Sequence, residues 1–500
     1  MRDWLAHRAD VTPEAPALRN GAGTVTSYAA LDDEVEELSG RLSAHGVGVD
    51  DHVGVALETR PAFVPVVHAS MRVGATLVPL NARATAEELA ERIDLADVDC
   101  LLCGAETAER AVAAAARLDP ELPVLGLDGG TAGTADLLGT DPEAFEVPAL
   151  TIDGIEVMLF TSGTTGRPKA VCLTAANLAT SAAASAFRLG LDPGDRWHVV
   201  LPMYHMGGLA PVYRSVLYGT CVLVEDTRGG FDPERTVETL ESNGATCTSL
   251  VPTMLRRLLE AREGNPFPDS MRFVLLGGAP ASESLLSECA ERGVPVCPTY
   301  GMTEAASQIA TATPGEASEH PGTVGSPLLF TEVTVVGADG REVPRGETGE
   351  LVVAGPTLTP GYYGATVSTR EQFCSFGFRT GDVGYRDEGG RLYVLNRLDD
   401  RIITGGENVD PGEVLEVVRD APTVHDAAVV GIPDEEWGER VAALVVADGE
   451  FDREAFERYC RERLAGFKLP RTVRVAGDLP RTASGTVDRA AVRERLTDDD

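Results

Sequence analysis

Thr161-Ser162-Gly163-Thr164-Thr165-Gly166-Arg167-Pro168-Lys169 follows directly on the apolar run Met158-Leu159-Phe160. A short apolar strand that opens into glycines and hydroxyls and closes on a lysine is the pattern of an anion site. Gly163 and Gly166 let backbone N–H groups turn toward one point, and Ser162, Thr164 and Thr165 add hydroxyl donors. Lys169 adds a compact charge suited to phosphate oxygens. The run is not a Walker A loop: it lacks the Gly-Lys-[Ser/Thr] ending, and Pro168 blocks a simple helix start. Lys169 is one of only two lysines among the 43 basic residues; the other is Lys468, and the rest are arginine. A lysine kept at the end of such a loop, in a chain so poor in lysine, points to phosphate chemistry.

Outward from the loop, helical and strand-like segments alternate. Tyr28, Leu31, Val35, Leu38 and Leu42 repeat at helical spacing within residues 27–46, while Val53–Leu57 and Ala75–Leu80 read as strands. This alternation predicts an α/β fold with parallel-rich sheets covered by helices. Gly126–Gly139, rich in Gly, Thr and Asp, reads as a surface loop. From about residue 320 the runs shorten (Glu332–Val336, Glu350–Val353, Leu392–Leu395) and Gly and Pro turns divide them. The expected organisation is a large N-terminal domain over 1–398, including a β-rich subdomain at about 320–398, and a small α+β C-terminal domain over 399–500. Helical patterns at 411–419 and 452–464 belong to the latter. Five hundred residues also exceed what one hydrophobic core usually organises.

Seventy-eight acidic against 43 basic residues leave a net charge of −35. Nucleic acid is excluded as a partner, since phosphate backbones need a basic footprint. At about 1 M salt the Debye length falls to roughly 3 Å and screens most of this self-repulsion. The composition therefore reads as that of a halophilic protein in a salt-rich cytosol; a GC-rich genome would explain the loss of lysine but not the acidic excess. The first ten residues hold no apolar signal core and no run approaches 18 apolar residues, so a cytoplasmic protein without stable membrane insertion is expected. Nine scattered cysteines argue against a disulfide framework. Cys100-Leu101-Leu102-Cys103 has no second pair at zinc spacing and reads as small residues in a buried strand.

The opening run resembles the phosphate loop of the adenylate-forming superfamily: acyl-coenzyme A synthetases, peptide-synthetase adenylation domains and luciferases. Further matches follow in the family's order over essentially the whole chain. Leu201-Pro202-Met203-Tyr204-His205-Met206-Gly207-Gly208 is similar to the acyl-pocket gate, and Gly277-Gly278-Ala279-Pro280 to the adenine-side turn. Pro298-Thr299-Tyr300-Gly301-Met302-Thr303-Glu304 resembles the Tyr-Gly-x-Thr-Glu motif. Arg379-Thr380-Gly381-Asp382 and Arg397-Leu398-Asp399-Asp400 resemble the ribose-binding Asp, the ribose-binding Arg and the inter-domain hinge, with Asp399 at the hinge position. Gly405-Gly406-Glu407-Asn408 is similar to the loop lining the thiol tunnel. The resemblance implies ATP, Mg²⁺ and coenzyme A as cofactors and a small carboxylic acid as substrate. It also implies Glu304 as the metal ligand, Thr303 on the α-phosphate, and Asp382 with Arg397 on the ribose. The residue types suit the reaction, because carboxylate attack on the α-phosphate joins two anions and depends on positioning and charge neutralisation. A homodimer is left open as the assembly.

Arg214 lies in an otherwise apolar, helix-like stretch after His205, and Ser307-Gln308 follows Glu304. An arginine facing an acid pocket there would pair with a second carboxylate; one capping the helix or reaching water would not. His205 is expected in the pocket wall. The pattern His-x-Gly-Gly-Leu, Arg-Ser-Val-x-Tyr-Gly and Gly-Met-Thr-Glu-x-x-Ser-Gln-Ile is similar to that of o-succinylbenzoate–CoA ligases of menaquinone biosynthesis, whose acid is an aromatic dicarboxylate. An aryl- or short-chain acyl-CoA ligase and a catalytically idle nucleotide-binding relative stand as alternatives. One departure keeps the last of these open. Pro480-Arg481-Thr482-Ala483-Ser484-Gly485-Thr486 places Thr486 where the family carries a lysine that bridges carboxylate and phosphate. Arg481, Arg489 and Lys468 are the candidates to supply the missing charge, Lys468 being read first as a structural residue.

Overall fold

Eight strands form the first sheet, in the order Gly361–Tyr362, Pro168–Thr174, Ile155–Ser162, Thr76–Pro79, His52–Ala56, Cys100–Cys103, Val124–Gly126 and Ala135–Asp136. Its centre is parallel, and Pro168–Thr174 folds back antiparallel on Ile155–Ser162. The second sheet has nine strands: Ser326–Pro327, Ser307–Thr311, Val296–Met302, Phe273–Leu276, Cys247–Leu250, Arg196–Val199, Cys221–Val224, Pro16–Asn20 and Val25–Ser27. The computed structural model describes residues 3–118, 122–131, 133–162, 168–400, 402–404, 407–409, 411–434, 437–447, 449, 451–481 and 487–497.

The helices Tyr28–Ala44, Phe63–Val73 and Met206–Tyr218 share one apolar cluster with strands of both sheets. Every residue of Phe63–Val73 is buried, including Arg72, whose guanidinium is paired with Asp3 and Asp32. The third sheet is antiparallel: Glu332–Val336, Gly349–Ala354, Gly377–Arg386 and Phe373–Cys374, with Leu392–Arg397 also pairing with Gly377–Arg386. The fourth begins at Ile402 and pairs Glu407–Val409, Ile402–Thr404, Gly438–Ala447 and Val424–Asp434, with Thr472–Ala476 added in parallel. Helices Pro411–Arg419 and Arg453–Arg463 cover it, at the positions their spacing predicts. The fold is mixed α/β with a large N-terminal and a small C-terminal part.

The Gly126–Gly139 segment departs from the loop reading only in part, its described residues between 128 and 136 being half-buried or exposed. It supplies the edge strand Ala135–Asp136 and buries Leu127 and Leu137. Two leucines against the sheet outweigh the polar composition between them. Cys100 and Cys103 do lie in a buried strand, and burial pushes their thiols up to about 12 and about 11.

Glu156, in the Ile155–Ser162 strand, is buried, and this raises its carboxyl to about 7. Between the ordinary carboxylate range and pH 7 the folded chain holds a proton that the unfolded chain releases. Stability from this group is therefore lost as pH rises through 7. The ionised form costs about 3 kcal/mol at most. Glu156→Gln should raise Tm by a few degrees at pH 8 and hardly at all at pH 5. A thermal-melt series across pH checks this; equal gains at both pH values would show that the charge is not the cause.

Candidate active site

Parallel strands gather functional groups at their carboxyl ends. Ile155–Ser162 ends in the Ser/Thr/Gly loop, Phe273–Leu276 runs into Gly277–Pro280, and Val296–Met302 carries Tyr300 and Gly301 into the short 3₁₀ turn Thr303–Ala305. The Gly278 turn has φ 78°, which glycine adopts freely. Thr161 pairs with Lys169 across the first sheet. Gly163, Thr164, Thr165, Gly166, Gly405, Gly406 and Thr486 lie outside the described residues, as do the side chains of Ser162 and Asp399.

Two polar groups form from distant parts of the chain. In the first, the Tyr300 hydroxyl donates to Asp382 Oδ2 at 2.6 Å, and Arg397 Nε lies 3.1 Å from Asp382 Oδ1. Asp382 and Arg397 are direct cross-strand partners in the hairpin of the third sheet, so the register itself makes this pair. Burial raises the Asp382 carboxyl, while Arg397 and the Tyr300 hydrogen bond oppose the shift. Burial and the adjacent carboxylate hold the Tyr300 phenol well above its ordinary value, so it stays a donor.

In the second group, Tyr362 donates to Glu304 Oε1 at 3.0 Å and Lys169 Nζ sits 4.8 Å above the Tyr362 ring. The Thr359 N–H holds the Glu304 carbonyl at 2.7 Å. Burial raises the Glu304 carboxyl; Tyr362, Arg397 and Lys169 pull it back. Arg397 thus links the two groups, and with Lys169 it is one of two cations that act on the half-buried Glu304 carboxylate. A half-buried carboxylate is a donor of the hard oxygen type that a divalent cation takes. Thr303 precedes it on the same turn.

A third group lies along the Met206–Tyr218 helix. His205 caps its start without a side-chain hydrogen bond, is half-buried, and is lowered to about 4 by desolvation, so it is neutral at working pH. Gly208 lies against the carbonyls of Leu201 and Pro202, where a Cβ would come within 2.4 Å. Arg214 is only 2% exposed, so it neither reaches water nor caps the helix. Its guanidinium stands 5.4 Å over the Trp197 ring, and its Nε and Nη2 have no partner among the described residues. Gln308 is likewise buried; its Nε2 donates to Thr311 Oγ1 at 2.7 Å and its Oε1 is unpartnered. Ser307, half-buried, opens the same strand.

Tyr362 and Thr359 are the contributors that sequence reasoning missed. The only signal was that two tyrosines follow Gly361; their role depends on Gly361–Tyr362 joining the edge of the first sheet beside Pro168–Thr174. Of the three basic candidates near the Thr486 departure, Lys468 Nζ meets both oxygens of Glu413 at 2.6 Å, and Arg481 pairs with Asp426. Arg489 pairs with Asp400, in the turn that follows Arg397. A separate cavity of about 730 Å³, lined by Gly21, Glu106, Asp226 and Arg228 among others, contains none of the site residues.

The family model described as AMP-binding enzyme matches residues 5–363, and that of the AMP-binding enzyme C-terminal domain matches 413–486. A 2-succinylbenzoate–CoA ligase from Bacillus cereus (strain Q1) is 37% identical over 495 residues, covering 99% of this chain and 98% of its own. The structure of o-succinylbenzoate CoA synthetase from Bacillus subtilis in complex with its acyl-adenylate intermediate aligns at a TM-score of 0.90 and 34% identity, over 100% of this chain and 99% of that one. The same enzyme in complex with ATP and magnesium ion gives 0.89 and 34%, over 99% of each chain. The Ile155–Ser162 strand, the Tyr300–Glu304 turn and the Asp382–Arg397 pair are thus set in a chain that belongs to the AMP-binding enzyme family.

Proposed function

We propose that this chain is an ATP-dependent acid–CoA ligase that activates 2-succinylbenzoate. The observation that carries the choice of acid is Arg214: a buried, partly unpartnered guanidinium in an apolar setting is costly unless a carboxylate completes it. A dicarboxylate supplies that partner with one end while the other reacts. The relatives' names agree with this reading.

In the first step the free carboxylate oxygen attacks the α-phosphorus of ATP, and the bond to the β-phosphate oxygen breaks to release pyrophosphate. Asp382 and Arg397 orient the ribose, Lys169 and the hydroxyls of the 161–166 loop neutralise the phosphates, and Thr303 contacts the α-phosphate. Glu304 would hold Mg²⁺, which supplies charge neutralisation at the phosphate oxygens when bound. In the second step the coenzyme A thiolate attacks the acyl carbon and AMP leaves. Neutral His205 lines the acid pocket and takes no charge into it. Gly405 and Gly406 line the thiol path. We place the domain boundary at 398/399, with Asp399 as hinge, because the third sheet ends at Arg397 and the fourth starts at Ile402. Arg489 is our candidate for the charge that Thr486 lacks: Asp400 holds it beside Arg397, whereas Glu413 occupies Lys468. We read the −35 net charge as adaptation to a salt-rich cytoplasm.

Acid-dependent ATP–pyrophosphate exchange over a KCl series tests this. Exchange with 2-succinylbenzoate well above that with benzoate or butyrate, and rising toward molar KCl, is expected. Exchange with benzoate alone would replace the dicarboxylate by a simple aryl acid. Intact ATP binding with no exchange for any acid would make the chain an idle relative.

A further inference from the structure

Immediately after Glu304 the backbone takes an uncommon path. Ala306 has φ 52° and Ser307 has φ 118°, two successive non-glycine residues at positive φ. The first lies in the left-handed well; the second lies well outside it. Each such residue costs about 1–3 kcal/mol and persists only where its surroundings over-determine it. The turn joins Thr303 and Glu304 on one side to Ser307 and Gln308 on the other. Its geometry therefore sets the distance between the phosphate-side and acid-side groups.

Its surroundings are built to hold it. The Ser181 hydroxyl, buried, donates to the Ala306 carbonyl at 2.7 Å. The Ala306 N–H closes the 3₁₀ turn on Thr303 O at 3.0 Å, and the Ala306 methyl is fully buried in the core. Gly301 lies flat against the turn, where a Cβ would fall 1.9 Å from the Ser307 carbonyl oxygen. Ser181 is also one of a set. On the Ala175–Leu189 helix, Asn177, Ser181 and Arg188 recur on one face at spacings of four and seven residues. Asn177 Nδ2 donates to the carbonyls of Pro356 (2.9 Å) and Leu358 (2.8 Å), and Arg188 Nε to that of Thr311 (2.7 Å). Next to Leu358 is Thr359, whose N–H holds the Glu304 carbonyl. The same helix starts where the Lys169 strand ends, capped by Thr174 and Asn177. One helix face thus grips both the backbone that follows Glu304 and the 356–358 segment next to the residue that holds the Glu304 carbonyl.

We propose that Ser181 is a positioning residue for acid activation: its hydrogen bond to the Ala306 carbonyl holds the strained Ala306–Ser307 turn, and so fixes Glu304 relative to Ser307 and Gln308. This rests on the assignment of those residues to the phosphate and acid ends of the site. Without the hydroxyl the turn relaxes toward ordinary φ values and the two ends lose register, and a misplacement of about 1 Å is enough for large rate losses.

A double-mutant cycle on the full chain tests it. Ser181→Ala should lower kcat for exchange about tenfold and raise KM for the acid, leaving KM for ATP within twofold. It should also lower Tm by a few degrees. In the Ser307→Gly background, where glycine accepts the backbone without strain, Ser181→Ala should have less than half its effect on Tm and on kcat. Additive effects in both readouts would overturn the proposal, as would a Ser181→Ala loss confined to KM for ATP. The melting cycle needs no substrate. Absence of exchange in the wild type would count against the ligase reading, and non-additive melting would still reveal the strained turn.

Discussion

Lys169→Ala lowers acid-dependent exchange by about 10²–10³-fold, the size seen when one preorganised electrostatic contact to a transition state is lost. The reasoning starts from charge. On the proposed reading the reaction joins a carboxylate to a triphosphate beside the half-buried Glu304, and Lys169 and Arg397 are the cations that lower the Glu304 carboxyl. Arg397 is already committed to Asp382 at 3.1 Å, which leaves Lys169 as the freer point charge. ATP binding changes only a few-fold, because the Tyr300–Asp382–Arg397 group is untouched. Lys169→Arg recovers little, since a broad planar fork does not reproduce a compact ammonium above the Tyr362 ring. The acid limb of the pH–rate profile moves to higher pH in Lys169→Ala, because burial already raises Glu304 and Lys169 is one of the groups that pull it back. Exchange within threefold of wild type, or an unmoved acid limb, would remove Lys169 from the chemistry.

Arg214→Met should abolish use of the dicarboxylate and stabilise the fold at the same time. Truncating one partner of a buried charge pair costs about 2–5 kcal/mol in binding, so KM for 2-succinylbenzoate should rise by about two orders of magnitude or more while a monocarboxylate is little affected. The unliganded protein gains. Burial depresses the Arg214 guanidinium, two of its nitrogens lack partners, and its cation–π contact with Trp197 offsets only about 1–2 kcal/mol. Replacing such a charge by an apolar side chain of similar length is commonly neutral or favourable by about 1–4 kcal/mol. Melting with and without each acid checks both halves: a higher Tm for the free variant, and loss of the extra stabilisation that the dicarboxylate gives wild type. A variant that melts lower and keeps its preference for the dicarboxylate would show that Arg214 serves packing alone.

Much of this site was legible because its parts are local. Tyr300-Gly301-Met302-Thr303-Glu304 and Arg379-Thr380-Gly381-Asp382 are short runs whose residue types carry their chemistry with them. The alternation of segments likewise predicted the sheets. What escaped was set by contacts between distant elements. Tyr362 reaches Glu304 because a two-residue strand crosses to another sheet, and no spacing within its own segment encodes that. Whether Arg214 faces water or the interior depends on Trp197, which arrives on a strand of the second sheet. Ser181 is an ordinary serine in an alanine-rich helix until the turn at Ala306 is seen above it. The edge strand within 126–139 was hidden by composition, since two leucines carry it among many Gly, Thr and Asp residues.

The short strand that brings Tyr362 to the site also has a consequence in time. Gly361 pairs with Cys172, and nearly two hundred residues separate them along the chain. At roughly 5–20 residues per second, a ribosome takes on the order of 10–40 s to make that stretch. Throughout that interval the Pro168–Thr174 edge is open, with Ala170–Thr174 otherwise destined for burial. The nascent chain therefore holds an apolar, unpaired sheet edge until more than two thirds of the protein has been synthesised, and any other strand able to pair there competes with Gly361–Tyr362 for the position beside Lys169.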